Sequence, residues 1–413
     1  MKIKDKTCIV FDIEVLKNIF TCTCKNTETG VIKVFEISSR KVDIQDLLDY
    51  FTQGCYFVGY NNHHYDNPVL NYIFSLYRKR YFEFFSTREI TESIFRMSQI
   101  VIDKNSNFEL WKEYKYTKNF LSIDLLTMLF SKALRVSLKE MQVTMQYKNV
   151  EEFIVDWKQD LPEKDMDRLI SYNINDVKST EELLYRCEKL LDIRVETERD
   201  FGLPCLSLDR VNLGDKLLQL KVMQKSGLSK DQLENMKSPM DRIDLEKVIF
   251  PFIKFNTPVL QKALQDMKNQ HNVSPGRKGY INTFIFGGME VTIGVGGIHG
   301  DNGCCSIKCN EDELLLDSDV NSLYPSLIAV YELYPPKLKS ILREVYPEII
   351  QERLEFKRTK QKNKNETYKY MLNGVTGKMQ QEVSWLYAPF SIMQVRINGQ
   401  LLLLMLAERL LDL

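Results

Sequence analysis

The run Leu314-Leu315-Leu316 reads as a short buried strand, and the stretch Asp319-Val320-Asn321-Ser322-Leu323-Tyr324-Pro325-Ser326 follows it. An acid is thus expected where a hydrophobic strand ends. A tyrosine and a proline suited to the first turn of a helix come next. A carboxylate held over the end of a sheet is well placed for a metal ion, so the rest of the chain is read for further acids.

The 413 residues are enough for two or three domains. Hydrophobic residues make up 44% and charged residues 27%, an ordinary soluble balance. The 56 basic and 56 acidic residues cancel, so only local charge can argue for or against nucleic acid. The nine cysteines show no disulfide or zinc spacing. Only Cys304, Cys305 and Cys309, near His299, cluster, and the expectation is reduced structural thiols in a cytoplasmic setting. Asp12 and Glu14 interrupt the first apolar run, so it is no signal peptide. The late run Leu401 to Ala407 is far shorter than a membrane span.

Cys8 to Val15 reads as a buried strand on which Asp12 and Glu14 point to one face. Two such acids repel unless a cation lies between them, although a surface strand could also carry the pair. Phe57 to Tyr60 reads as a second strand, leading through Asn62 and Tyr65 to Asp66 and a helix from Pro68 to Leu76. There Asp66 could be a helix N-cap and Asn62 a turn residue. Leu121 to Leu126 is strand-like, and a helix starts at Ser137 to Met141. A long amphipathic helix then runs from Leu169 through Cys187 to Leu191, with Tyr172 and Asp176 on one face.

These pieces form a pattern. Asp12-x-Glu14, Asn62-x-x-Tyr65-Asp66 and Tyr172-x-x-x-Asp176, in that order, resemble the three exonuclease motifs of DEDDy proofreading nucleases. The stretch from Asp319 resembles motif A of family B DNA polymerases, D-x-x-S-L-Y-P-S, as found in phage enzymes. The resemblance implies a ribonuclease H-like fold for the first domain, a mixed sheet with flanking helices. It implies that Asp12, Glu14, Asp66 and Asp176 hold two Mg²⁺ or Mn²⁺ ions. Tyr172 would orient the attacking water, Asn62 and Tyr65 would hold a frayed single-stranded DNA 3′ end, and Lys139 would lie near the scissile phosphate.

For the second domain the resemblance implies a palm and helical fingers. Asp319 and the Val320 carbonyl would bind the catalytic metals, and Tyr324 would block a ribose 2′-hydroxyl. Arg353, Lys357 and Lys369 would grip a deoxynucleoside triphosphate, while Asn373, Gly374 and Gly377 would line the nascent base pair. Lys369 to Lys378 resembles motif B, except that Gly374 and Thr376 stand where the family has serine and an aromatic residue. Gly294 to Gly300 is glycine-dense, consistent with a turn pair. It also resembles the linker motif that touches template DNA, through Gly296 and Gly297.

The expected architecture is α/β and α+β multidomain. An exonuclease domain spans 1–200, a connector 201–290, palm 291–345, fingers 346–385 and a palm helix 386–413. Within the connector, a helix is expected to follow Leu206-Ser207-Leu208-Asp209 up to Met223, another over Leu260 to Asn269, and a loop over 272–279. The family's motif C acid and thumb would follow Leu411-Asp412-Leu413. The expectation is therefore a DNA-directed DNA polymerase with proofreading, acting on primer-template, of which this chain is the N-terminal part. A C-terminal fragment carrying motif C is the expected partner, and no membrane is. The alternatives are a stand-alone 3′→5′ DNA exonuclease or a non-catalytic DNA-binding half of a split polymerase.

Overall fold

The computed structural model describes residues 1–411 except 132, 133, 135, 277, 278 and 321. Parts of the expected 272–279 loop, Asn321 of the motif A stretch, and Asp412-Leu413 lie outside the described residues. The chain divides into two compact units, Met1–Arg210 and Val211–Leu413.

The first unit is built on a mixed sheet. Its strands are β1 (Lys2–Ile3), β2 (Lys6–Leu16), β3 (Ile19–Asn26), β4 (Ile32–Ile37), β5 (Tyr56–Gly59) and β6 (Leu121–Asp124). The order is β4-β3-β2-β5-β6, with β1 on β2. The hairpins β2–β3 and β3–β4 are antiparallel, whereas β5 and β6 run parallel to β2. The helices are α1 (Ile44–Phe51), α2 (Asp66–Arg78), α3 (Thr87–Ile102), α4 (Phe108–Tyr116), α5 (Leu125–Leu129), α6 (Leu138–Thr144), α7 (Glu163–Arg186) and α8 (Glu188–Phe201).

Alternation along β2 decides what each sheet face meets. Ile9, Phe11 and Ile13 enter one core with Phe51, Phe57, Val69 and Phe74. Phe51 stacks on Phe57 at 4.0 Å, and Phe11 meets both rings edge-on. Each such pair adds about 0.5–1.5 kcal/mol beyond its buried area. Cys8 and Val10 enter the opposite core with Val58, Val177 and Leu184, under α7. Asp12 and Glu14 continue that second face.

The helix expected to run unbroken to Leu191 breaks at Cys187, whose backbone N–H bonds the Leu183 and Leu184 carbonyls. The unit extends past residue 200 because the segment after α8 is tied back. Asp124 N donates to Ser207 Oγ at 3.1 Å, and buried Arg194 donates to the Leu208 carbonyl.

In the second unit a sheet orders β7 (Ile281–Phe286), β8 (Met289–Gly294) and β9 (His299–Asp301). Gly287 and Gly288 have φ of +59° and +80°, the left-handed pair that a two-residue hairpin needs. The helices are α9 (Arg210–Ser226), α10 (Lys230–Glu234), α11 (Leu245–Val248), α12 (Pro258–Lys268), α13 (Leu323–Val330), α14 (Lys339–Arg358), α15 (Lys362–Met379) and α16 (Pro389–Leu411).

The apolar run 401–407 belongs to the 23-residue α16, which is long and apolar enough to cross a membrane by length and composition. Its placement is that of a core helix. Ile397, Leu401 and Leu404 pack beneath β8 and α12. Its buried polar residues are all engaged: Asn398 with Val248 O and Phe250 N, and Gln400 with both backbone groups of Gly294. Glu408 accepts from Asn256 N and Thr257 N at 2.7–3.0 Å, capping α12 in place of the Thr257 side chain. Glu408→Ala is expected to orphan those donors and cost about 1–3 kcal/mol, read by chemical denaturation.

Candidate metal centre

Period-two alternation on β2 brings Asp12 and Glu14 to the face covered by α7, which presents Asp176 to them. Carboxylate oxygens of the three lie within 4.8 Å of one another, so the triad could hold a metal ion. Asp66 arrives from β5 through the turn at Asn61–Tyr65. It is buried, and its Oδ1 accepts the Ile13 backbone N–H at 3.2 Å. It is not the N-cap of α2, a place taken by Tyr65. The carboxylate is instead aimed at the strand that carries Asp12 and Glu14.

Burial and neighbouring acids raise the proton affinity of Asp12 and Glu14. Burial, then Asp66, Glu14 and Asp176, hold Asp12 well above the usual carboxylate range. Burial, then Asp176 and Asp66, push Glu14 up to about 8. Burial pushes Asp66 up to about 7 against the pull of its backbone donors. The crowded triad of Asp12, Glu14 and Asp176, with hard oxygen donors, fits a hard divalent cation whose charge would remove the repulsion, while Asp66 lies outside that cluster.

This predicts a stability profile. In metal-free protein the folded acids keep protons that the unfolded chain has released, so the unfolded state binds fewer protons. Stability is therefore expected to fall as pH rises from about 4, where unfolded carboxyls ionise, to about 8, where folded Glu14 does. Denaturation in EDTA across that range checks it, and added Mn²⁺ should restore stability at the alkaline end.

Neighbouring side chains orient the acids. Asn173 Nδ2 donates to Asp12 Oδ2 at 2.6 Å. Gln142 Nε2 donates to Asp176 Oδ1 at 3.0 Å, and Lys139 Nζ pairs with the same oxygen at 2.5 Å. Lys139 also sits over the Tyr172 ring at 4.4 Å from its centroid. It reaches this place on α6, which starts with the capping box of Ser137 and Glu140. Burial, then the charges of Asp176 and Glu14, hold the Tyr172 hydroxyl in its protonated form.

Asn173 and Gln142 went unrecognised in the sequence. Asn173 adjoins Tyr172, and Gln142 lies one helical turn beyond Leu138, yet amides carry no motif of their own. Asp124 was also missed. It is fully buried, and its carboxylate accepts from the backbone N–H groups of Asn61, His63, Leu126 and Thr127 at 2.9–3.3 Å. It thereby fixes the turn that delivers Asp66. Burial raises its proton affinity, and burial also lowers that of His63 beside it.

Of the two residues expected to grip a strand, Asn62 is fully buried, its amide 2.7 Å from Ser122 Oγ. With the amide oxygen toward that hydroxyl, its nitrogen donates to the Gly59 and Ile123 carbonyls. Tyr65 is half-buried against the aromatic core.

In the second unit the expected strand at Leu314–Leu316 does not form. The three leucines are 79%, 66% and 74% exposed on an irregular stretch, and among the described residues they pair with no strand. Asp319 and Val320 are exposed on the same stretch, and Asp319 belongs to no acid cluster among the described residues. Cys304, Cys305 and Cys309 are exposed too, so these thiols are not core packing.

Tyr324 and Asn373, from α13 and α15, line one cleft of about 280 Å³ with Ser322, Leu323, Pro325 and Thr376. Arg353 Nη1 donates to Ser322 Oγ at 3.2 Å. Helices α14 and α15 pack as a hairpin. Lys357 on α14 is exposed, and Lys369 on α15 pairs with Glu366 at 3.6 Å. Gly374 is buried against α9, where an added Cβ would lie 3.4 Å from Val211 O. Gly214 of α9 fits even more closely, since a Cβ there would lie 2.0 Å from Tyr370 O. Gly377 has open space around its Cα. Gly296 and Gly297 form the turn between β8 and β9, with φ of +154° at Gly297.

Compared with known proteins, the chain matches no family model and no curated sequence.

Proposed function

We propose that the first unit is a divalent-metal-dependent nuclease that removes nucleotides from the 3′ end of single-stranded DNA. The observation that carries this is the convergence of Asp12, Glu14 and Asp176, with Asp66 alongside, from three separate segments. A mixed sheet flanked by helices also agrees with the ribonuclease H-like fold that the motifs suggest.

Asp12, Glu14, Asp66 and Asp176 would hold two Mg²⁺ or Mn²⁺ ions. Such ions, when bound, activate a water and stabilise the leaving oxygen of a phosphodiester. The chain's own residues prepare the ground. Lys139 sets a positive charge beside Asp176, where it can draw in a phosphate. Tyr172, kept protonated, offers a hydroxyl donor to a water beside the acids. Asn173 and Gln142 fix the carboxylates of Asp12 and Asp176.

The second unit is proposed as a nucleotide-binding region of family B polymerase type. Its support is the shared cleft of Tyr324 and Asn373 with Arg353 adjoining. Asp319 belongs to no group of three possible metal ligands among the described residues, so the nuclease is the reading favoured for the chain by itself.

The test is a time course with 5′-labelled single-stranded DNA and Mg²⁺ or Mn²⁺. Progressive shortening from the 3′ end supports the reading. Intact DNA, or release of the labelled 5′ nucleotide first, contradicts it.

A further inference from the structure

Strand β3 lies antiparallel to β2 with Thr23 opposite Asp12 and Thr21 opposite Glu14. Directly opposed residues share a sheet face. Both threonines are 0% exposed, and the hydroxyl of each has no hydrogen-bond partner. Helix α7, which brings Asp176 and Asn173, packs over this strand. A valine has the same shape and would fill either place without an unpaired hydroxyl, whose burial is costly.

Two further unpaired buried atoms belong to the same neighbourhood. Asn173 Oδ1 and Gln142 Oε1 lack donors, while the nitrogens of the same amides hold Asp12 and Asp176. Unsatisfied buried polar atoms thus surround the acid centre on both its sheet side and its helix side. Such buried polar atoms call for a partner, and a bound ion that turns the carboxylates toward them would supply one.

We propose that Thr21 and Thr23 are positioning residues for the metal ligands. Each donates its hydroxyl to the carboxylate opposite it, Thr21 to Glu14 and Thr23 to Asp12, when the acids are ionised around a divalent cation. Asp12 is engaged by Asn173, and the two hydroxyls have no hydrogen-bond partner. With metal, they would keep the carboxylates turned toward the ion, as outer hydrogen bonds do around other metal ligands. This rests on the metal-centre reading above.

The test is Mn²⁺ titration of the full chain, followed by calorimetry or by the resonance signal of free Mn²⁺. The variants are Thr21→Val, Thr23→Val, the double valine variant and the double Thr→Ser variant. The double valine variant is expected to bind Mn²⁺ about 10–100-fold more weakly, the range seen for lost outer partners. Its metal-free melting temperature is expected to equal or exceed that of the wild type, because two orphan hydroxyls are gone. The serine variant is expected to recover the affinity.

A merely structural role would change melting and leave affinity alone. Wild-type affinity in the double valine variant, or equal weakening by serine and valine, overturns this proposal while leaving the metal centre standing. No Mn²⁺ binding by the wild-type chain overturns both.

Discussion

Asp12→Asn is expected to lower Mn²⁺-dependent degradation of single-stranded DNA by about 10³-fold, the scale of removing one electrostatic group from an active centre. The substitution keeps the side-chain shape and removes one anionic ligand from the cluster. Burial and the charges of Asp66, Glu14 and Asp176 disfavour a charged Asp12, so the neutral variant should melt at or above the wild-type temperature in EDTA. Loss of activity without loss of stability separates a ligand role from a structural one. Unchanged nuclease rates in this variant would remove Asp12 from the chemistry.

Asp124→Ala is expected to do the opposite, through the fold. Four backbone donors converge on this carboxylate, from the turn after β5 and from the start of α5. Removing it leaves several buried N–H groups unsatisfied, at about 1–3 kcal/mol each before relaxation. A total loss of about 3–5 kcal/mol is expected, near the upper end for single substitutions. Asp124→Asn keeps an acceptor oxygen and should cost less. Denaturant titration in EDTA measures both. A change below about 1 kcal/mol for Asp124→Ala would show that the turn does not depend on this carboxylate.

Local signals explain most of what could be read ahead. Asp12 and Glu14 share a face because strand periodicity is strict, and that was visible in Cys8 to Val15. The helix start at Ser137 to Met141 was legible too, and in the structure the capping box of Ser137 and Glu140 closes it and so places Lys139. The contacts that finish the site join residues far apart in sequence. Asp66 meets Ile13 N, Asn173 meets Asp12, and Gln142 meets Asp176. Each depends on how α2, α6 and α7 pack on the sheet, which no short pattern encodes.

The Leu314–Leu316 misreading has a related cause. Three leucines make an apolar run, but a strand needs a neighbour to pair its backbone, and among the described residues this run pairs with none. Gly374 is also small where α15 crosses α9, at the closely fitted Gly214, a contact between distant segments that no short pattern encodes.

The central claim is that the four acids of the first unit are a divalent-metal site. Anomalous diffraction at the manganese edge, from crystals grown with Mn²⁺, tests it most directly. The account predicts manganese peaks within coordination reach of Asp12, Glu14 and Asp176, with Asp66 completing the set. Strong manganese peaks elsewhere on the chain, with none among these carboxylates, would contradict it.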